Sequence, residues 1–100
     1  MKRKTEELRT PKGTHDIFGQ DVRVVAKIED TFRKLVSYYD YGEIRTPIFE
    51  EVEVFSITSG ESSDIVTKQM YKLSSRSEKL VLRPEGTAPM ARAYLEHGMF

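Results

Sequence analysis

Seven apolar residues, Val22, Val25, Ile28, Phe32, Leu35, Val36 and Tyr39, recur at intervals of three and four along one stretch of this chain. That spacing is the 3.6-residue period of an α-helix with one apolar face. Arg23, Lys27, Asp30, Arg33 and Lys34 mark much of the remaining surface, and Asp21 suits the positive end of the helix dipole. The pattern predicts one helix over residues 21–39, about 28 Å long. A face that wide needs a cover. The pattern alone favours packing on the chain's own sheet, with a symmetric contact between copies as the alternative.

The segments around this helix read differently. Residues 1–10 form a basic, polar N-terminal segment, and Thr10-Pro11-Lys12-Gly13-Thr14 is a loop punctuated by Pro and Gly. Residues 41–49 read as short and extended. Pro47 has no amide hydrogen and biases Thr46 away from the helical region, so it belongs at a strand end or an exposed edge. Residues 50–58 carry Val52, Phe55 and Ile57 and are expected to form a second helix, with Glu50, Glu51 and Glu53 as its exposed acidic start. Residues 59–63 are a loop. Residues 69–73 and 79–83 flank a polar stretch and predict an antiparallel hairpin. Thr87 is expected to cap a last helix with Pro89 in its first turn, and Gly98 to end it. The order of helix, strand, helix, hairpin, helix gives an α+β fold with a mainly antiparallel sheet.

Composition bounds the function. One hundred residues allow one ordinary domain, and 38% apolar with 32% charged residues is a globular balance. Sixteen basic and sixteen acidic side chains cancel, so net charge says nothing about a polyanionic partner. The absence of cysteine excludes disulfides, thiolate metal sites and cysteine nucleophiles, and fits a cytoplasmic location. Apolar runs never exceed three residues, so no membrane span is expected. No glycine-rich phosphate loop or dinucleotide fingerprint occurs, and nothing in the spacing of His15 and His97 supports a metal site.

Arg83-Pro84-Glu85-Gly86-Thr87 sits where a strand gives way to a helix. Glu85 offers a carboxylate for a substrate ammonium, Thr87 a hydroxyl, and Gly86 a backbone that a ligand can approach closely. The same residues also read as an ordinary helix start with a charge in its first turn. Lys68, Lys72, Arg76, Lys79 and Arg83 oppose a single acid, Glu78, and read either as a solvated hairpin or as a phosphate-contacting surface.

Three strings in order, Lys12-Gly13-Thr14-His15-Asp16-Ile17, Glu43-Ile44-Arg45-Thr46-Pro47-Ile48-Phe49-Glu50 and Leu82-Arg83-Pro84-Glu85-Gly86-Thr87-Ala88, closely resemble the amino-terminal part of bacterial histidyl-tRNA synthetases. The resemblance runs from about Pro11 to Phe100, and Arg92-Ala93 and Glu96-His97-Gly98 continue it. It implies that residues 11–100 are the N-terminal part of a class II aminoacyl-tRNA synthetase catalytic domain, an antiparallel sheet flanked by helices. It further implies a cytoplasmic homodimer in which the helix from Asp21 and the strand carrying Arg45 and Pro47 form motif 1 at the dimer interface. Glu85-Gly86-Thr87 matches the histidine-binding loop, whose glutamate and threonine hold the substrate amino group. The implied reaction is ATP-dependent formation of histidyl-adenylate, with Mg2+ accompanying the nucleotide, and transfer of histidine to the 3′ end of tRNA(His).

The sequence departs from the family in two places. Asp40 stands where the family has glycine at the end of the first helix, and Asp tolerates the left-handed conformation better than most residues. The motif 2 arginine, the histidine-specific signatures and motif 3 all belong beyond Phe100, so the chain reads as an incomplete part of the enzyme with no catalytic residue of its own. Two alternatives accompany this reading: the synthetase-like regulatory subunit of ATP phosphoribosyltransferase, and a non-catalytic dimerisation or tRNA-binding module.

Overall fold

The computed structural model describes residues 7–61, 68–73 and 79–100. The chain divides into two compact units, Met1–Gly42 and Glu43–Phe100. Arg76, Glu78, the hairpin loop and the first six residues lie outside the described residues.

The first unit is dominated by α1, Gln20–Tyr38, one residue offset from the range that the periodicity predicts. Ahead of it, the Thr14 amide donates to the Pro11 carbonyl at 3.0 Å across a tight turn. Gly13 sits at that turn's third position with φ 87°, a conformation that strains residues with a Cβ. Gly19 precedes the helix with φ 63° and supplies no side-chain cap, leaving Asp21 in the first turn to complement the dipole. At the other end the Tyr41 amide donates to the Val36 carbonyl at 3.2 Å and the Asp40 amide to the Ser37 carbonyl at 3.1 Å. These paired bonds make a Schellman motif, with Asp40 in the left-handed position at φ 63°. The helix buries no residue.

The second unit is an α+β arrangement. Its strands are β1 (Phe49–Glu51), β2 (Lys72–Leu73) and β3 (Leu80–Leu82), and its helices α2 (Glu53–Ser59) and α3 (Thr87–Glu96). The strands form an antiparallel sheet in the order β1-β3-β2. Glu50 faces Val81 and Val81 faces Lys72, so these three share one side of the pleat. Val81 packs with Val52, Phe55 and Ala88 in the core, with Val54 and Met70 against them. The hairpin expected from residues 69–73 and 79–83 is present as the shorter β2–β3 pair.

Two expectations need correction. Of residues 41–49, only Phe49 enters the ladder. Pro47 has no amide to donate, and the chain before it is held by other contacts described below. Glu50 and Glu51 are strand rather than helix, and α2 begins at Glu53. Their pairing with β3 outweighs the local preference of acidic residues for a helix start. Glu50 is consequently buried, with 7% of its surface exposed, which a surface helix would never have required.

α3 ends as α1 does. The Met99 amide donates to the Tyr94 carbonyl at 3.1 Å and the Gly98 amide to the Leu95 carbonyl at 3.3 Å, with Gly98 left-handed at φ 60°.

Candidate functional site

β3 runs out at Leu82, and five residues later the chain is helical. The connection is held at both ends. At the sheet end the Arg83 amide donates to the Ile48 carbonyl at 3.0 Å. Its guanidinium Nη1 donates to the Thr46 hydroxyl at 2.8 Å and to the Thr46 carbonyl at 3.1 Å. At the helix end the Glu85 carboxylate accepts from the backbone amides of Thr87 and Ala88, the latter at 3.1 Å to Oε1. Pro84 between them fixes its own φ and favours extended backbone at Arg83.

Glu85 is therefore the residue that caps α3. The sequence reading gives that role to Thr87; Thr87 is instead the first residue of the helix, and its amide is one of the capped donors. The reason is geometric. A glutamate two residues before the helix reaches forward over the free amides, where an anion is favoured by the dipole. An ionised carboxylate has about four acceptor sites, so donors from the helix leave room for an ammonium on the outward side. Glu85, Gly86 and Thr87 are all exposed. Gly86 has φ −108°, which any residue adopts, and a Cβ added there would meet nothing within 4 Å. No described residue of this chain requires glycine at this position. A bare backbone beside a fixed carboxylate suits the close approach of a ligand.

The helix carrying this loop is anchored from below. Arg92 Nε on α3 donates to the buried Glu50 Oε2 of β1 at 2.9 Å, and Arg92 Nη1 also lies 3.5 Å from Glu96. The Glu50–Arg92 contact joins residues 42 apart. Sequence reasoning missed it: two acids in a row before a helix and an arginine within another helix give no signal of pairing. The Arg83–Thr46 contact was equally invisible, although Arg83 stood in the basic cluster.

The remaining predicted residues are dispersed. Arg45 is exposed and pairs with Glu43 at 2.8 Å, and Pro47 is exposed beside it. Lys68, Lys72 and Lys79 are exposed. His15 is exposed in the first unit; His97, in the second, follows α3 and lies 3.4 Å from Glu96. Among the described residues no group of three or more His, Asp or Glu side chains is placed to hold a metal ion. No described helix is long and apolar enough to cross a membrane.

No protein-family model matches the chain. Curated relatives do. It is 48% identical over 95 residues to the histidine–tRNA ligase of Streptococcus sanguinis, a match covering 94% of this chain and 22% of that protein. It is also 48% identical over 89 residues to the histidine–tRNA ligase of Thermosipho melanesiensis, covering 88% and 21%. Among solved structures, apo histidyl-tRNA synthetase of S. aureus is similar with a TM-score of 0.76 and 36% identity, over 92% of this chain and 21% of that one. A chain from Bacillus halodurans described as an ATP phosphoribosyltransferase regulatory subunit/histidyl-tRNA synthetase is similar with a TM-score of 0.69 and 29% identity, over 86% and 22%. The chain thus spans about a fifth of the length of the proteins it matches. The resemblance read from its three strings extends along nearly all of it.

Proposed function

We propose that this chain is part of a histidine–tRNA ligase, with residues 11–100 as the N-terminal part of its class II catalytic domain, and that its own contribution is to hold the amino group of histidine. The supporting observation is the Glu85 carboxylate, pinned by two α3 amides beside a glycine with open space around it among the described residues. In this reading the substrate ammonium donates to the free lone pairs of Glu85 and to the Thr87 hydroxyl, and Gly86 lets the histidine backbone come close. Fixing the ammonium orients the histidine carboxylate toward the α-phosphate of ATP, so adenylate formation gains from positioning. The histidyl group then passes to tRNA(His). Magnesium bound with ATP would neutralise phosphate charge.

The exposed segment with Arg45 and Pro47 is assigned to the dimer interface, and the apolar face of α1, which its own unit does not cover, to burial within the same homodimer. The enzyme works in the cytoplasm, where its tRNA is charged.

The likeness to the B. halodurans chain supports a second reading, a synthetase-like regulatory subunit of ATP phosphoribosyltransferase that does not charge tRNA. Its identity is lower than that of the curated ligases, and the string Glu85-Gly86-Thr87 resembles the synthetase loop. Histidine-dependent exchange of pyrophosphate into ATP separates the two. The purified full-length protein is expected to show exchange that requires histidine; a folded protein that binds histidine without exchange would establish the regulatory reading instead.

A further inference from the structure

The Glu85 loop is tied down at both ends. Toward α3 the Glu85 carboxylate accepts from the Thr87 and Ala88 amides, and the Gly86 carbonyl accepts from the Met90 amide at 3.1 Å. Toward the sheet the loop begins at Arg83, where three hydrogen bonds converge on residues 46–48: two from the guanidinium to Thr46 and one from the backbone amide to Ile48. Residues 41–48 take no part in the strand ladder, so ladder bonds do not place Thr46. The Arg83 side chain does so across a sequence distance of 37.

We infer that Arg83 is a positioning residue for histidine binding, acting through Thr46 to fix where the Glu85 carboxylate stands. The inference rests on the reading of Glu85 as the ammonium partner. Arg83 itself touches no substrate in this scheme. Its charge, which the basic hairpin would otherwise offer to phosphates, is committed to two oxygen acceptors of the neighbouring segment. The clasp is exposed, so removing it should change global stability little. A carboxylate displaced by a fraction of an ångström nonetheless loses a charge-assisted bond, because such bonds depend steeply on distance and angle. Stability and histidine affinity therefore respond differently to the same substitution, and this distinguishes positioning from a merely structural role.

The test is histidine-dependent pyrophosphate exchange by the full-length enzyme and its variants, with KM for histidine, KM for ATP and the thermal midpoint measured together. Arg83→Met is expected to raise the histidine KM about tenfold, the scale of one hydrogen bond to a charged group. The ATP KM and the midpoint should stay near wild type. Thr46→Val, which removes only the hydroxyl, should give a smaller rise, and Thr46→Ser, which keeps both acceptors, none. In the Arg83→Met background Thr46→Val should add nothing, since the two residues act as one unit. An unchanged histidine KM in Arg83→Met would overturn the inference, as would equal rises for histidine and ATP accompanied by a lower midpoint. Absence of exchange by the wild-type enzyme would overturn the ligase reading itself, and the inference with it.

Discussion

α1 and α3 are both amphipathic helices, and both end in a Schellman motif with a left-handed residue after the last turn, yet they stand in opposite circumstances. α3, ten residues long, buries Ala88, Pro89 and Ala93 against its own unit. α1, nearly twice that length, buries nothing; along its apolar face Val22, Val25, Ile28, Phe32, Leu35 and Tyr39 are between 36% and 72% exposed. Small residues let α3 approach its neighbours closely, while α1 presents large side chains that its own unit does not cover. An apolar period states that a face is made for burial and leaves the partner unnamed. The left-handed residues differ in the same spirit: α3 ends on Gly98, which takes that conformation freely, and α1 on Asp40, which takes it at a cost.

The sharpest way to break the contrast is to truncate one phenylalanine in each region. Phe55→Ala, in the core of the second unit, should destabilise the protein by about 3–4 kcal/mol. In the proposed homodimer Phe32→Ala on α1 should also cost about 3 kcal/mol, at concentrations where the dimer forms; a loss below about 0.5 kcal/mol at every concentration would count against the dimer. Denaturant unfolding at several protein concentrations checks both. A large, concentration-dependent loss for Phe32→Ala would show that α1 is buried in an assembly, as the dimer proposal requires.

The anchoring of α3 offers the next largest effect. Glu50 is almost wholly buried and Arg92 only a quarter exposed, so Arg92→Met leaves a carboxylate short of its partner in the interior. The expected loss is about 2–3 kcal/mol, less than for a fully buried pair. The double variant Glu50→Met/Arg92→Met should recover part of that stability, and failure to recover any would mean that the arginine matters through packing alone.

The smallest effects concern the helix ends. Asp40→Gly should stabilise the protein by up to about 1 kcal/mol, and Gly98→Ala should destabilise it by a similar amount, because only glycine avoids the clash of Cβ in the left-handed region. Thermal unfolding would read both. Opposite signs are expected, and equal signs would show that something other than backbone strain governs one of the ends.

What could be read from the sequence followed the range of the interactions. Helix α1 was legible because its period repeats over five turns, and the turn at Asp40 because the family pattern marks the position. The hairpin was legible from its two apolar runs around a polar gap. The burial of Glu50 is hidden in the sequence because its partner Arg92 lies 42 residues along the chain, and a local rule about acids at helix starts has nothing to oppose it. The cap of α3 is ambiguous in the sequence for a narrower reason: Glu and Thr both suit a helix start, and only the fold shows that Glu85 reaches the amides. The candidate loop itself was visible through its residue types, whereas the clasp that holds it, Arg83 on Thr46, needed the geometry.

The role of Glu85 is the point on which most depends, and equilibrium binding tests it directly. Histidine and imidazolepropionate, which lacks only the amino group, are compared on the full-length protein and on Glu85→Gln, whose amide oxygen can still cap α3. Wild type should prefer histidine, and Glu85→Gln should weaken histidine binding by about 1.5–3 kcal/mol while leaving the analogue unaffected, so that the preference largely disappears. A preference that survives intact in folded Glu85→Gln would mean that Glu85 does no more than begin a helix.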